Sequence, residues 1–200
     1  MTDSTYIIAI SGFSGAGKTT MVTRLATRFG DAVTLGIDEY TEDATYPPAI
    51  EWIKNGANPD EFITPLFVEN VRALKEGRSI IHPETKMEVH APHYVIVEEP
   101  FGKSRTAMRP LIDFHAQLEI APEIALARRV LRIIEKTSQG EDEDKLTEFL
   151  NWYLKAGRNF YLAVQKNAAK DKDLTVDGAL PAEMIAQTIF DAVNANRAKV

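Results

Sequence analysis

One stretch near the amino end constrains the chain more than any other: Gly12 to Thr20 read GFSGAGKTT and follow directly on the apolar run Tyr6 to Ile10. That run has the composition of a strand buried on both faces. From Thr19 onward, Met21, Val22, Leu25, Ala26 and Phe29 recur at helical spacing, and Gly30 supplies a stop. Strand, glycine-rich turn and helix are the context in which this pattern cradles phosphate. Gly12, Gly15 and Gly17 let successive backbone N–H groups turn inward, and the helix start adds partial positive charge. Ser14, Ala16 and Thr20 complete the cradle. Lys18 is placed to reach the β- and γ-phosphates of ATP, and the Thr19 hydroxyl to ligate Mg²⁺.

The remainder alternates strand and helix. Ala32 to Ile37 reads as a strand ending in Asp38-Glu39-Tyr40, and Tyr94 to Val97 as one ending in Glu98-Glu99-Pro100-Phe101-Gly102. Phe114 to Ile120 and Leu174 to Val176 are two more. A helix is expected from Asn58-Pro59-Asp60-Glu61 through Leu74 to Gly77. Another runs from Pro122 to about Lys136 with Arg128, Arg129 and Arg132, ended by Gly140 and the acidic run Glu141 to Asp144. Leu146 to Val164 reads as a helix kinked near Gly157, and Pro181 to Val193 as a closing helix. Ser79 to His90 looks hairpin-like. The pattern predicts one α/β domain over 1–200: a three-layer P-loop NTPase fold with a mainly parallel five-stranded sheet, right-handed crossovers and a helical lid at about 128–145. Open sheets bind ligands at the carboxyl ends of their strands, which puts Asp38 and one of Glu98 and Glu99 at the site.

Composition removes whole classes of function. A net charge of −6 and a pI near 5.3 argue against a general nucleic-acid binder. With no cysteine, disulfides, thiolate metal sites and a cysteine nucleophile are impossible. No basic leader and no membrane-length apolar run is visible, so a cytoplasmic protein without a membrane partner is expected. The reading allows a homodimer. His82, His90, His93 and His115 show no helical ligand spacing, so zinc is not expected. Trp52, Phe62, Phe67, Trp152, Tyr153 and Tyr161 read as packing residues, and Arg105 and Arg109 either touch an anionic substrate or lie on an exposed face.

GFSGAGKTT, LGIDEY, VIVEEPFG and APEIALARRVLR, in this order, resemble the uridine kinase and phosphoribulokinase group of P-loop kinases over most of the chain. The resemblance implies that Asp38 accepts the proton of the substrate hydroxyl, with Tyr40 as an aromatic neighbour, and that Glu98 is the glutamate associated with Mg²⁺; the alternative for Asp38 is to hold Mg²⁺ through water, and Glu99 replaces the group's glycine. It also implies that Arg128, Arg129 and Arg132 belong to the lid. Positions 128 and 132 lie one turn apart, so that pair is expected to grip phosphate. Departures are Arg132-Ile133 and Gln139-Gly140 in the lid, and His82-Pro83-Glu84-Thr85 in the substrate segment. His82 and His90 flank that segment as candidate substrate contacts. Asp177-Gly178 is the turn expected to border the adenine. The implied activity is transfer of the ATP γ-phosphoryl group to a hydroxyl of a small-molecule acceptor, with uridine leading and a sugar, sugar phosphate, glycerate or pantothenate-like alcohol open. A P-loop ATPase or switch acting on a protein partner is the alternative, as is a non-catalytic nucleotide-binding module.

Overall fold

The computed structural model describes residues 5–137 and 144–199. Its strands are β1 (Tyr6–Ser11), β2 (Ala32–Gly36), β3 (Ile80–Ile81), β4 (Glu88–Val89), β5 (Tyr94–Glu98), β6 (Phe114–Glu119) and β7 (Leu174–Asp177). Its helices are α1 (Lys18–Phe29), α2 (Ala49–Lys54), α3 (Pro65–Lys75), α4 (Pro122–Thr137), α5 (Asp144–Trp152), α6 (Arg158–Ala168) and α7 (Ala182–Arg197).

Five strands form a wholly parallel sheet in the order β2-β5-β1-β6-β7, while β3 and β4 make a separate antiparallel hairpin. Side chains alternate along a strand, so β1 feeds both faces. Ile8 and Ile10 pack with Met21, Val22 and Leu25 of α1 and with Ile185 and Ile189 of α7. Ile7 and Ala9 pack with Phe67, Val71 and Leu74 of α3. Helix, sheet and helix are the three expected layers. Register aligns the strand ends: Ile10 of β1 and Gly36 of β2 both stand opposite Glu98. The phosphate loop, Asp38 and Glu98 therefore leave the sheet at one level.

The helix expected from Asn58 to Leu74 is two pieces. A 3-10 turn covers Pro59–Glu61, Ile63 then bridges to Thr45, and α3 starts afresh at Pro65. The residue before a proline is pushed out of the helical region, and Thr64 sits at φ −141, ψ 75. Helix α2, with Trp52 at its buried centre, had no periodic signal of its own in so short a stretch. The kink near Gly157 is a π-helical segment, Tyr153–Gly157, joining α5 to α6. The lid residues at 138–143, including Gln139 and Gly140, lie outside the described residues.

Candidate active site

Helix α1 begins at Lys18, directly after Gly17 in a left-handed conformation. Lys18 is held almost out of solvent, 7% exposed, with its Nζ 3.3 Å from Glu98 Oε1 and within donating distance of the Phe13 carbonyl at 3.4 Å. The Thr19 hydroxyl donates to Glu98 Oε2 at 2.8 Å. Two consecutive residues of α1 thus converge on one carboxylate at the end of β5. A hydroxyl oxygen beside a carboxylate oxygen is the hard donor set that suits Mg²⁺, and a shielded ammonium suits phosphate. Gly15, at φ +90, is needed where it stands, because a Cβ there would lie 2.7 Å from the carbonyl of Ala125 in α4. The loop and α4 touch through backbone.

Burial beside Arg105 decides between the two glutamates. Glu98 faces the loop, whereas Glu99 is completely buried and paired with Arg105 at 2.7 Å. Arg105 also donates to Thr64 Oγ1 at 2.7 Å, and the Phe101 N–H donates to Glu99 Oε1 at 3.2 Å. Burial pushes the Glu99 carboxyl up, and the guanidinium beside it opposes that shift. Glu99 and Arg105 brace the turn that carries Pro100 and Phe101, so Arg105 is neither a substrate contact nor on an exposed face. Arg109 is exposed and pairs with Asp171.

Asp38 is exposed in the 3-10 turn after β2 and lines a cavity of about 390 Å³ together with Gly12, Ser14, Gly15, Gly17, Lys18, Thr19, Thr20 and Glu98. Ser14 is further fixed by a side-chain hydrogen bond with the buried Tyr161. Ala16 lines a neighbouring cavity of about 240 Å³ on the other side of the loop, with Arg128, Gly178 and Leu180.

The three arginines of α4 are shared between the two cavities, with Arg128 and Arg132 together on the smaller one. Arg129 and Arg132 line the larger cavity, and a buried Arg129 Nε has no hydrogen-bond partner. Arg128 turns to the opposite side of the loop and donates to the carbonyls of Gly178 at 3.0 Å and Gly15 at 3.5 Å. Arg132 borders both cavities.

Three expected substrate contacts lie away from the cavity lining. Tyr40 is a core residue, 2% exposed, edge-on to Phe67 with its hydroxyl accepting from Asn70 at 3.1 Å. Burial drives its phenol up to about 12. His82 lies 3.7 Å from Glu39 and caps the hairpin turn through Nδ1. His90 is exposed and hydrogen-bonded to Ser79 Oγ at 2.8 Å. In their place the cavity has aromatic walls, two members of which, Phe62 and Trp152, the sequence reading assigned to packing. Phe62 and Trp152 line it, as do Tyr46, Phe101 and Phe160. Trp52, Phe67 and Tyr161 are buried packing residues. Aromatic content alone does not separate wall from core; only the break before Pro65 and the π segment turn Phe62 and Trp152 toward the opening.

No protein-family model matches the chain. Curated relatives do. A uridine kinase of Borrelia garinii subsp. bavariensis is 31% identical over 160 residues, covering 72% of this chain and 75% of its own. One from Leuconostoc citreum is 32% identical over 147 residues, covering 65% and 69%. The chain belongs to the uridine kinase family. A uridine kinase of Halobacterium salinarum, 28% identical over 144 residues, is covered over 64% of its length. Among solved structures, a gluconokinase from Sinorhizobium meliloti superposes with a TM-score of 0.55 at 15% identity, covering 96% of this chain and 93% of that one. A shikimate kinase from Aquifex aeolicus gives 0.51 at 16% identity over 96% and 98%. These two share the fold. Family membership makes this uridine kinase relative a P-loop phosphotransferase. Among the described residues no helix is long and apolar enough to cross a membrane.

Proposed function

We propose that the chain transfers the γ-phosphoryl group of ATP, with Mg²⁺, to a hydroxyl of a small molecule. The observation that carries this reading is the convergence of Lys18 and Thr19 on Glu98 at the floor of a cavity that Asp38 also lines. The loop N–H groups and Lys18 bind the β- and γ-phosphates, and Thr19 and Glu98 hold Mg²⁺, which when bound neutralises charge on the phosphate oxygens. Asp38 orients the acceptor hydroxyl and takes its proton. Arg129 and Arg132 offset charge on the transferred group from the lid side. The smaller cavity, with Arg128 and the Gly178 turn, is assigned to the adenine. The name shared by the curated relatives makes uridine the reference acceptor against which others are ranked.

The test is ADP release from Mg–ATP over a panel of nucleosides, sugars and simple alcohols. Turnover that needs an acceptor and falls about 10²- to 10⁴-fold in Asp38→Asn is expected. Hydrolysis independent of any acceptor and unaffected by Asp38→Asn moves the weight to an ATPase or switch.

A further inference from the structure

The hairpin of β3 and β4 is a two-stranded unit apart from the main sheet, and His82 at its bend faces the turn that carries Asp38. His82 closes the bend on itself: its N–H donates to the Met87 carbonyl at 2.9 Å, and its own carbonyl accepts from the Lys86 N–H at 3.0 Å. The ring is 14% exposed, and Nδ1 accepts from the N–H groups of Glu84 and Thr85 at 3.3 and 3.4 Å. A ring nitrogen that accepts carries no proton, so the proton of the neutral imidazole lies on Nε2. Nε2 is the atom that faces Glu39, 3.7 Å from Oε2.

Glu39 ends the 3-10 turn Ile37–Glu39, which has Asp38 at its middle. Ile37 and Tyr40 are buried on either side of Asp38 and Glu39, and the Tyr40 N–H donates to the Ile37 carbonyl at 3.2 Å. The Glu39 side chain folds back toward the end of β2. Its carboxylate accepts a hydrogen bond from the Gly36 backbone, and a Cβ on Gly36 would lie 3.1 Å from Oε1. The other oxygen, Oε2, is buried and has no hydrogen-bond partner. A buried acceptor left alone is costly, and the Nε2–H of His82 faces it. A movement of about 0.8 Å, from 3.7 Å to an ordinary 2.9 Å, completes the bond. Burial pushes the Glu39 carboxyl up; the Gly36 bond and the His82 ring oppose this, while Glu84 and Glu98 add to it. Glu39 therefore feels the Glu98 carboxylate without itself lining the cavity.

We propose that His82 is a positioning residue: by donating to Glu39 it docks the hairpin onto the Ile37–Glu39 turn and fixes the direction in which Asp38 presents its carboxylate to the acceptor hydroxyl. This rests on the kinase reading above, in which His82 touches neither acceptor nor phosphate. The effect on rate comes through geometry, since misplacing a reacting group by about 1 Å can cost about 10²-fold. Gly36 braces one oxygen of Glu39, and His82 braces the other.

Two substitutions divide the two duties of the ring. The side-chain oxygen of Asn stands near the place of Nδ1 and keeps the cap on Glu84 and Thr85, with nothing at Nε2. The amide nitrogen of Gln reaches the place of Nε2 and donates to Glu39, at the loss of the cap. His82→Asn and His82→Gln are assayed in the full chain, in the native and Glu39→Met backgrounds, with Mg–ATP and the acceptor ranked first in the panel above. His82→Asn is expected to lower kcat about tenfold or more with the KM for ATP unchanged, and His82→Gln to stay within about threefold of the native chain. Neither is expected to lower kcat further in Glu39→Met. The reverse order, Gln impaired and Asn active, or activity in both, reduces His82 to a turn cap and overturns the proposal while the kinase reading stands. No acceptor-dependent turnover in the native chain overturns the kinase reading and the positioning role together. The contact itself is read without turnover, in two-bond proton–nitrogen NMR spectra of the chain, where the His82 signal is identified by its loss in His82→Asn. A protonated Nε2 whose signal shifts in Glu39→Met is expected. A proton on Nδ1, or an Nε2 indifferent to Glu39→Met, removes the contact and with it the proposal, whatever the rates.

Discussion

Arg128 and Arg129 are neighbours in sequence that line different cavities, because about 100° of helix rotation separates them. Arg128 ties two backbone carbonyls, those of Gly15 and Gly178, across the back of the loop. Arg129 lines the larger cavity with its guanidinium 5.4 Å from the centroid of the Phe149 ring and a buried Nε free of hydrogen bonds. On the proposed mechanism Arg129→Met lowers kcat by about 10²-fold or more, as loss of a charge-stabilising donor does. Arg128→Met raises the KM for ATP with a smaller effect on kcat. Steady-state kinetics against ATP at saturating acceptor read this split, and equal effects on both constants in both variants would refute the division. Helical spacing did reveal that these arginines form a cluster on α4. It did not reveal which of them line the larger cavity, since the rotation of α4 is set by the contact of Ala125 with Gly15. The Glu98–Glu99 ambiguity has the same origin: alternation says that one carboxylate faces the loop, and only the burial of Arg105 behind the strand says which.

At the scale of elements, the π segment Tyr153–Gly157 positions one wall of the cavity. Its buried residues are Tyr153, Ala156 and Gly157. Gly157 has ordinary helical backbone angles, φ −59 and ψ −40, so its value is space rather than conformation. A Cβ there would lie 2.5 Å from the Trp152 ring. In an open helix Gly to Ala would add up to about 1 kcal/mol of stability; here the ring must move instead. Gly157→Ala is expected to raise the acceptor KM several-fold and leave nucleotide binding intact, read by acceptor and ATP titrations run side by side. An unchanged acceptor KM would show that Trp152 does not shape the acceptor site. The sequence signalled this bend through a glycine in an otherwise helical, aromatic-rich stretch. It gave no warning of α2, which is too short to show periodicity, and the break at Pro65 was hidden by the cap at Asn58, whose side chain accepts from Asp60 N–H at 3.1 Å in a 3-10 turn.

For the molecule as a whole, the parallel sheet was legible because β1 and β5 are short apolar runs and β2 is a mostly apolar one, each leading into polar residues, and register then fixes the site by bringing those ends level. The interior of β6 holds buried polar groups that this logic did not interpret, His115 and Gln117. His115 of β6 is fully buried, with Nε2 2.6 Å from Ser11 Oγ at the entry to the phosphate loop and Nδ1 accepting from the Lys103 N–H at 3.4 Å. A Cβ on Gly102 would fall 2.0 Å from its ring, so imidazole and glycine are mutually fitted. Burial first, and then the Lys103 ammonium, drive its pKa from the ordinary 6.5 down to about 4, against the opposing charge of Asp173. The unfolded chain therefore binds this proton more readily than the folded one. The associated stability is complete above pH 6.5 and declines as pH falls toward 4. The loss amounts to about 2 kcal/mol by pH 5 and about 3 kcal/mol in full. Urea unfolding at pH 7.5 and pH 5 on the native chain and on His115→Gln reads it directly. Carboxylates common to both chains cancel in the comparison, so the native chain should lose about 2 kcal/mol more than the variant between the two pH values. Parallel pH profiles would mean that His115 is protonated in the folded protein and that the junction of β1 with the phosphate loop is wet rather than sealed.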